Sequence, residues 1–197
     1  SKDFFTINKK SKWITNEYSR KVGNYLRSTY NCLVSTSKTL NKDDALFNTR
    51  IKGLEKKSPD LVLIDRELKF KKNLKIFKIK SKRKIYFVTS TNNKKKISWL
   101  KKKKISVILL NSLKNSDDFD KLFKILFKKG YSRILIEAGL TFFNFLKRKN
   151  FLNNIFIFQS FMKLKEGGLN SINKSINLNN RLQVFLFGDK LYKIRAK

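Results

Sequence analysis

Apolar positions along the chain switch between two periods, and the switch outlines alternating helices and strands. From Asn16 to Thr29 the spacing is helical, with Thr15 or Asn16 available as N-cap and Val22, Tyr25 and Leu26 on one face. Cys32-Leu33-Val34, Leu61-Val62-Leu63-Ile64 (ending at Asp65), Ile85-Tyr86-Phe87-Val88, Ile105 to Leu110 and Arg133-Ile134-Leu135-Ile136 are short, almost continuously apolar runs, as expected of strands buried on both faces. Asp117 to Lys129 carries apolar residues at 119, 122, 123, 126 and 127, a helical spacing that Gly130 closes. Leu140 to Lys149 predicts a further helix and Asn154 to Leu164 a long strand. Leu182 to Phe187 with Leu191 to Ile194 predicts a terminal hairpin around Gly188-Asp189. Buried strands alternating with helices predict an α/β fold, a mostly parallel central sheet with helices on both faces. The C-terminal antiparallel hairpin makes that sheet mixed. No repeat or linker interrupts the pattern, so residues 1–197 read as one domain.

Composition changes this picture in two ways. The 47 Lys and Arg against 14 Asp and Glu give a formal net charge of +33, a field that draws polyanions, nucleotides and phosphorylated ligands. Lys, Asn, Ile and Phe share A/T-rich codons, and that bias accounts for most of the charge, with a preference for anionic ligands beneath it. The Lys-rich stretches 71–84 and 94–104 lack aromatics at a stacking spacing. They read as solvated loops or helix faces, and no specific nucleic-acid partner is expected. The chain also has no histidine and a single cysteine, Cys32. That excludes zinc catalysis, Ser-His-Asp triads, Cys-His pairs and internal disulfides, and no metal is expected. Acid–base work falls to Asp, Glu, Lys, Tyr, water or a cofactor. No apolar run reaches membrane-spanning length and no leader pattern opens the chain, so no membrane partner and a cytoplasmic location are expected.

Three segments carry candidate chemistry. Ser11-Lys12-Trp13-Ile14-Thr15 places an aromatic face and hydroxyls just before the first helix, which also suits a simple cap with a packed aromatic. Thr39 to Arg50 holds adjacent carboxylates, Asp43-Asp44, followed by Arg50. Such a loop can bind a ribose hydroxyl and a phosphate, or form a local ion pair in solvent. Ile134 to Thr141 runs a buried strand into Glu137-Ala138-Gly139-Leu140-Thr141 and then a helix, the place where α/β folds bind nucleotide phosphates. Glu137 falls at the carboxyl end of the strand. Only one glycine is present, so the dinucleotide Gly-x-Gly-x-x-Gly fingerprint is absent.

In order, Ser-Lys-Trp-Ile-Thr (11–15), Thr-Leu-x-x-Asp-Asp followed by Arg (39–50), Val-Leu-Ile-Asp (62–65) and Ile-Glu-Ala-Gly-x-Thr (136–141) resemble the reductase domain of the bifunctional pyrimidine deaminase/reductase of riboflavin biosynthesis, RibD. The resemblance runs from Asp3 to the C-terminal strands. It implies a dihydrofolate-reductase-like fold and NADPH-dependent reduction of 5-amino-6-(5-phosphoribosylamino)uracil to the ribitylamino product. It implies that Ser11, Arg27, Phe47 (through its backbone), Arg50 and Glu137 touch substrate. Trp13, Thr39, Asp43 and the run Gly139, Leu140, Thr141, Phe142, Phe143, Asn144 and Phe145 would hold NADPH, and Arg66 would pair with its 2′-phosphate or point to solvent. Asp43 and Glu137 are the candidate proton donors beside water or a lysine, and a homodimer is expected. The family's first strand and its zinc deaminase domain are not in this sequence. Phe4, Ala45, Arg66 and Leu140 stand where the family usually has Gly, Pro, Ser and Pro. Three other readings stay open: another reductase of the same superfamily acting on a pterin or pyrimidine, a basic nucleic-acid binder, and an inactive structural relative.

Overall fold

The computed structural model describes residues 1–79, 82–172, 178 and 182–196. In chain order the elements are β1 (Phe5–Asn8), α1 (Glu17–Ser28), β2 (Cys32–Thr36), α2 (Ser37–Asp43), β3 (Asp60–Ile64), β4 (Ile85–Thr89), α3 (Lys94–Lys102), β5 (Ser106–Leu109), α4 (Ser116–Lys128), β6 (Ile134–Ile136), α5 (Leu140–Arg148), β7 (Asn154–Gln159), β8 (Gly168–Ser171), β9 (Leu182–Leu186) and β10 (Asp189–Arg195). They form two compact units, Asn24–Gly139 and Ser1–Gly23 with Leu140–Lys197.

Unit Asn24–Gly139 is built on a five-stranded parallel sheet in the order β5-β4-β3-β2-β6. The central strands β2, β3 and β4 are buried almost throughout, which is why their sequences are continuously apolar. Leu33, Leu61, Leu63, Phe87 and Leu100 are fully buried at the centre of the core. Phe70, Phe77 and Trp99 close one side of it, the Phe77 ring meeting Trp99 edge-on at 4.9 Å. The buried Asp65 carboxylate accepts the amides of Lys69 and Phe70 at 2.8 Å each, and so fixes the turn that delivers Phe70 to the core. Helix α4 starts at Ser116, one residue ahead of the sequence reading, behind a full capping box between Asn115 and Asp118. The Cys32 thiol is pushed up to about 12 by burial and then by the Asp60 carboxylate, so it is a packing residue and not a nucleophile.

The Lys-rich stretches differ from one another. Residues 94–104 contain α3, capped by Asn93, with Leu100 buried, Trp99 against the core and lysines at its exposed positions. Residues 71–84, expected to be solvated, instead bury Leu74, Ile76 and Phe77 and engage Arg83 with backbone carbonyls, because apolar residues and one arginine are embedded in the lysines. In α1 the cap is Asn16, whose side-chain oxygen accepts the Ser19 amide at 2.9 Å. The inward face is Ser19, Val22 and Leu26; Tyr25 lies outside it and is exposed.

Unit Ser1–Gly23 with Leu140–Lys197 holds the antiparallel strands. β1 pairs with β8, and β10 lies between β7 and β9. The expected hairpin is β9–β10, with Asp189 in the strand rather than in the turn. Its two-residue turn has φ of 47° at Phe187 and 94° at Gly188, the geometry that matches the twist of the flanking strands. These strands thus sit in sheets of their own, apart from the parallel one in the strand pairing. β7 ends at Gln159, short of the Leu164 expected. The Ser160 hydroxyl accepts the Met162 amide there and turns the chain out of the strand. Gly168 leaves room for the Phe5 ring, which a Cβ would meet at 2.3 Å.

Candidate functional site

The parallel sheet fixes where a ligand site belongs. The chain lays β2, β3, β4 and β5 side by side in one direction and then returns with β6 on the other edge of β2. The order therefore reverses between β2 and β6, and open α/β sheets bind ligands at the carboxyl ends of the strands at such a reversal. Those ends are Thr36 and Ile136. They are stitched together just there: the Glu137 amide donates to the Val34 carbonyl at 3.0 Å, and the Ser35 hydroxyl donates to the Glu137 carbonyl.

At that point stands a bidentate ion pair. Arg27, in the last turn of α1, donates from Nε and Nη2 to the two carboxylate oxygens of Glu137, both at 2.8 Å. Its remaining nitrogen, Nη1, donates to the Asn48 carbonyl at 2.9 Å. The side chains are only 16% and 30% exposed, so solvent screens the pair weakly and each partner needs the other. Two expected site residues are brought together, and Arg27 faces a carboxylate rather than standing as a free phosphate ligand. Next to it Phe47 has a buried ring and a left-handed backbone, φ 52°. Its carbonyl accepts from Arg83 at 2.8 Å, while its amide has no hydrogen-bond partner among the described residues. Arg50, two residues past Asn48, is exposed, and its guanidinium makes no ion pair among the described residues.

The start of α2 follows the end of β2 directly. Thr36 caps it, accepting the Thr39 amide, and the Thr36 and Thr39 hydroxyls lie 3.2 Å apart. Asp43 is the exposed last residue of that helix. Asp44 instead ends it in a left-handed conformation and accepts the Lys75 amide at 2.8 Å. The adjacent carboxylates therefore have different surroundings, and Asp43 is the one open to a ligand. Arg66 lies half exposed and pairs with Glu67 at 3.0 Å. Gly139 is exposed, and a Cβ built on it would meet nothing within 4 Å.

The remaining expected residues belong to the other unit. Trp13 is exposed, with two cations over its ring, Lys12 at 5.1 Å and Arg20 at 4.7 Å from its centre. The Ser11 hydroxyl accepts the Trp13 amide at 3.2 Å. Leu140 begins α5, Thr141 and Asn144 are exposed on it, and Phe143 is half-buried. Phe142 and Phe145 stack at 6.4 Å, one turn apart. Among the described residues no helix is long and apolar enough to cross a membrane.

Residues 4–161 match the family model of the RibD C-terminal domain. The chain belongs to this family. It is 28% identical over 185 residues to the riboflavin biosynthesis protein RibD of Aquifex aeolicus, covering 89% of this chain and 49% of that protein. It is 28% identical over 161 residues to the 5-amino-6-(5-phosphoribosylamino)uracil reductase of Buchnera aphidicola, covering 76% of this chain and 75% of that one. The solved structure of Acinetobacter baumannii RibD superposes with a TM-score of 0.75 at 16% identity, over 98% of this chain and 54% of that one. The chain thus spans about half the length of the RibD proteins it matches, and the fold is that of their reductase domains.

Phe4, where the sequence resemblance implies glycine, has φ 65°, in the left-handed region that favours glycine. Sequence reasoning missed two residues that shape the site, Asn48 and Arg83. Asn48 acts through its carbonyl, which leaves no mark on residue type. Arg83 did leave one: only nine of the 47 basic residues are arginines, and an arginine inside a lysine run marks a place where a planar fork is needed.

Proposed function

We propose that this chain is the NADPH-dependent reductase that converts 5-amino-6-(5-phosphoribosylamino)uracil to 5-amino-6-(5-phosphoribitylamino)uracil in riboflavin biosynthesis. The observation that carries the reading is Glu137, clamped by Arg27 at the carboxyl end of β6 where the sheet order reverses. Membership of the RibD C-terminal domain family supports it. On this reading residues 1–197 are one reductase domain, which acts in the cytoplasm. A homodimer is supported by the exposed apolar residues Leu182, Val184 and Phe185 on β9.

The residues present fit the cofactor. Gly139 offers open space at its α-carbon, and α5 begins one residue later with the exposed Thr141 in its first turn, so a helix N-terminus and a hydroxyl are available to a phosphate. On this reading the cofactor-binding residues are Leu140 to Phe145 and Trp13 in one unit, and Thr39 and Asp43, a hydroxyl and a carboxylate suited to ribose, in unit Asn24–Gly139. Arg66, already paired with Glu67, lies at the cofactor's 2′-phosphate only if it exchanges that partner. When bound, NADPH supplies the hydride that reduces the opened sugar at C1′.

The chain's own groups do the rest. Glu137 has both oxygens turned to Arg27 and accepts substrate hydroxyls with its remaining lone pairs. Both Glu137 oxygens are engaged by Arg27, so the proton is assigned to a water ordered by the exposed Asp43. Ser11 and the Phe47 amide offer hydrogen bonds to the sugar, and Arg50 holds the phosphate. Holding both reactants in register supplies roughly 7–11 kcal/mol of the barrier. Arg50→Ala is expected to raise the KM for the phosphorylated substrate about 10- to 100-fold, the loss of one charge-assisted contact, with the KM for NADPH within about twofold. Steady-state kinetics with each substrate varied in turn checks this. An unchanged substrate KM removes Arg50 from the site.

A further inference from the structure

We propose that Arg83 is a positioning residue for the sugar phosphate: by gripping the backbone of residues 46–47 it sets the Phe47 amide and Arg50 where the substrate is bound. The inference rests on the function proposed above and concerns unit Asn24–Gly139 alone.

Arg83 lies just before β4, far in sequence from the loop it serves. Its Nη1 donates to the carbonyls of Phe47 at 2.8 Å and Pro59 at 3.3 Å, and its Nη2 donates to the carbonyl of Leu46. The next carbonyl along, that of Asn48, accepts from Arg27. Three consecutive carbonyls, 46 to 48, are thus turned onto two guanidinium groups, and the second of these also holds Glu137. This bracket explains how a non-glycine residue keeps φ at 52°: with the Phe47 ring buried and its carbonyl captured, the backbone cannot relax. With its carbonyl so held, the Phe47 amide has no hydrogen-bond partner among the described residues, and Arg50, three residues on, is exposed. A hydroxyl or phosphate oxygen accepts from both kinds of donor.

The arrangement needs an arginine. A planar fork reaches carbonyls from two neighbouring residues and a third from Pro59, whereas an ammonium is a single point that serves one of them well. Burial, and then the nearby Arg27, lower Arg83 to about 10, so it still carries its charge at neutral pH.

The test uses Arg83→Met and Arg83→Lys in the full chain, at a temperature where circular dichroism shows both folded. Three readouts are taken: titration calorimetry with ribose 5-phosphate, amide hydrogen exchange of residues 46–50, and the KM values for substrate and NADPH. For Arg83→Met we expect ribose 5-phosphate affinity to fall at least tenfold, exchange in 46–50 to rise at least tenfold with α4 unchanged, and the NADPH KM to stay within twofold. Arg83→Lys should recover part of each loss. Wild-type affinity for ribose 5-phosphate in folded Arg83→Met overturns the inference, as does a parallel rise in both KM values, or no ribose 5-phosphate binding by the wild-type chain. Binding without any turnover by the wild-type chain sinks the proposed function and leaves the bracket standing.

Discussion

Replacing Arg27 by Met is expected to lower kcat/KM for the phosphoribosylaminopyrimidine on the order of 10²-fold or more while leaving the chain folded. Arg27 takes both oxygens of Glu137 and the Asn48 carbonyl, so its loss frees a carboxylate and a loop at once. A misplacement of about 1 Å at a reacting centre is enough for a loss of that order. The pair is partly exposed, so the stability cost is smaller than for a fully buried ion pair, about 1–2 kcal/mol. A double-mutant cycle separates positioning from independent contacts. If Arg27 acts through Glu137, the Arg27→Met/Glu137→Gln double variant is little worse than either single one. Losses that simply multiply would show that Arg27 and Glu137 serve the substrate separately.

Asp189→Ala is expected to cost about 3 kcal/mol and to lower the Tm by about 6–12 °C. Asp189 is fully buried, and its Oδ2 accepts both the Asn16 amide and the Ser19 hydroxyl at 2.7 Å. It therefore places a carboxylate at the positive end of α1, and its removal leaves two donors without an acceptor. The Asn16 side chain adds a second tie, donating to the carbonyls of Leu186 and Phe187 in the hairpin. Asp189→Asn keeps an oxygen at the Oδ2 position but loses the charge and puts an amide NH2 at the buried Oδ1 position, which has no partner among the described residues, so its cost is expected at about 1–2 kcal/mol, below that of alanine. Thermal and urea unfolding of both variants check the order. An alanine variant within about 0.5 kcal/mol of wild type would mean that this carboxylate does not anchor the helix.

Legibility followed the physics of each signal. The buried strands β2, β3 and β4 were readable because a strand covered on both faces must be apolar throughout, and α4 because its apolar period is strict. β1 and α2 were not singled out, being short and mixed in polarity; β1 is held by pairing with β8 more than 150 residues away. Glu137 and Gly139 were legible as a strand-to-helix turn. The pairing of Glu137 with Arg27 was not, because nothing in the sequence records which of the basic residues comes back to a given carboxylate. Asp189 was read as a turn residue because Gly-Asp suits a hairpin, but the turn takes Phe187 and Gly188 and buries the aspartate as an anchor.

The most direct measurement is isotope transfer. The protein is mixed with NADPH deuterated at both C4 positions and 5-amino-6-(5-phosphoribosylamino)uracil, with dihydrofolate as the comparison substrate, and the products are read by mass spectrometry and NMR. The expected result is loss of nicotinamide absorbance with the phosphoribosylaminouracil alone, and one deuterium per product at C1′ of the ribityl chain. Deuterium at any other position, reduction of dihydrofolate instead, or no oxidation of NADPH would contradict the proposed reaction.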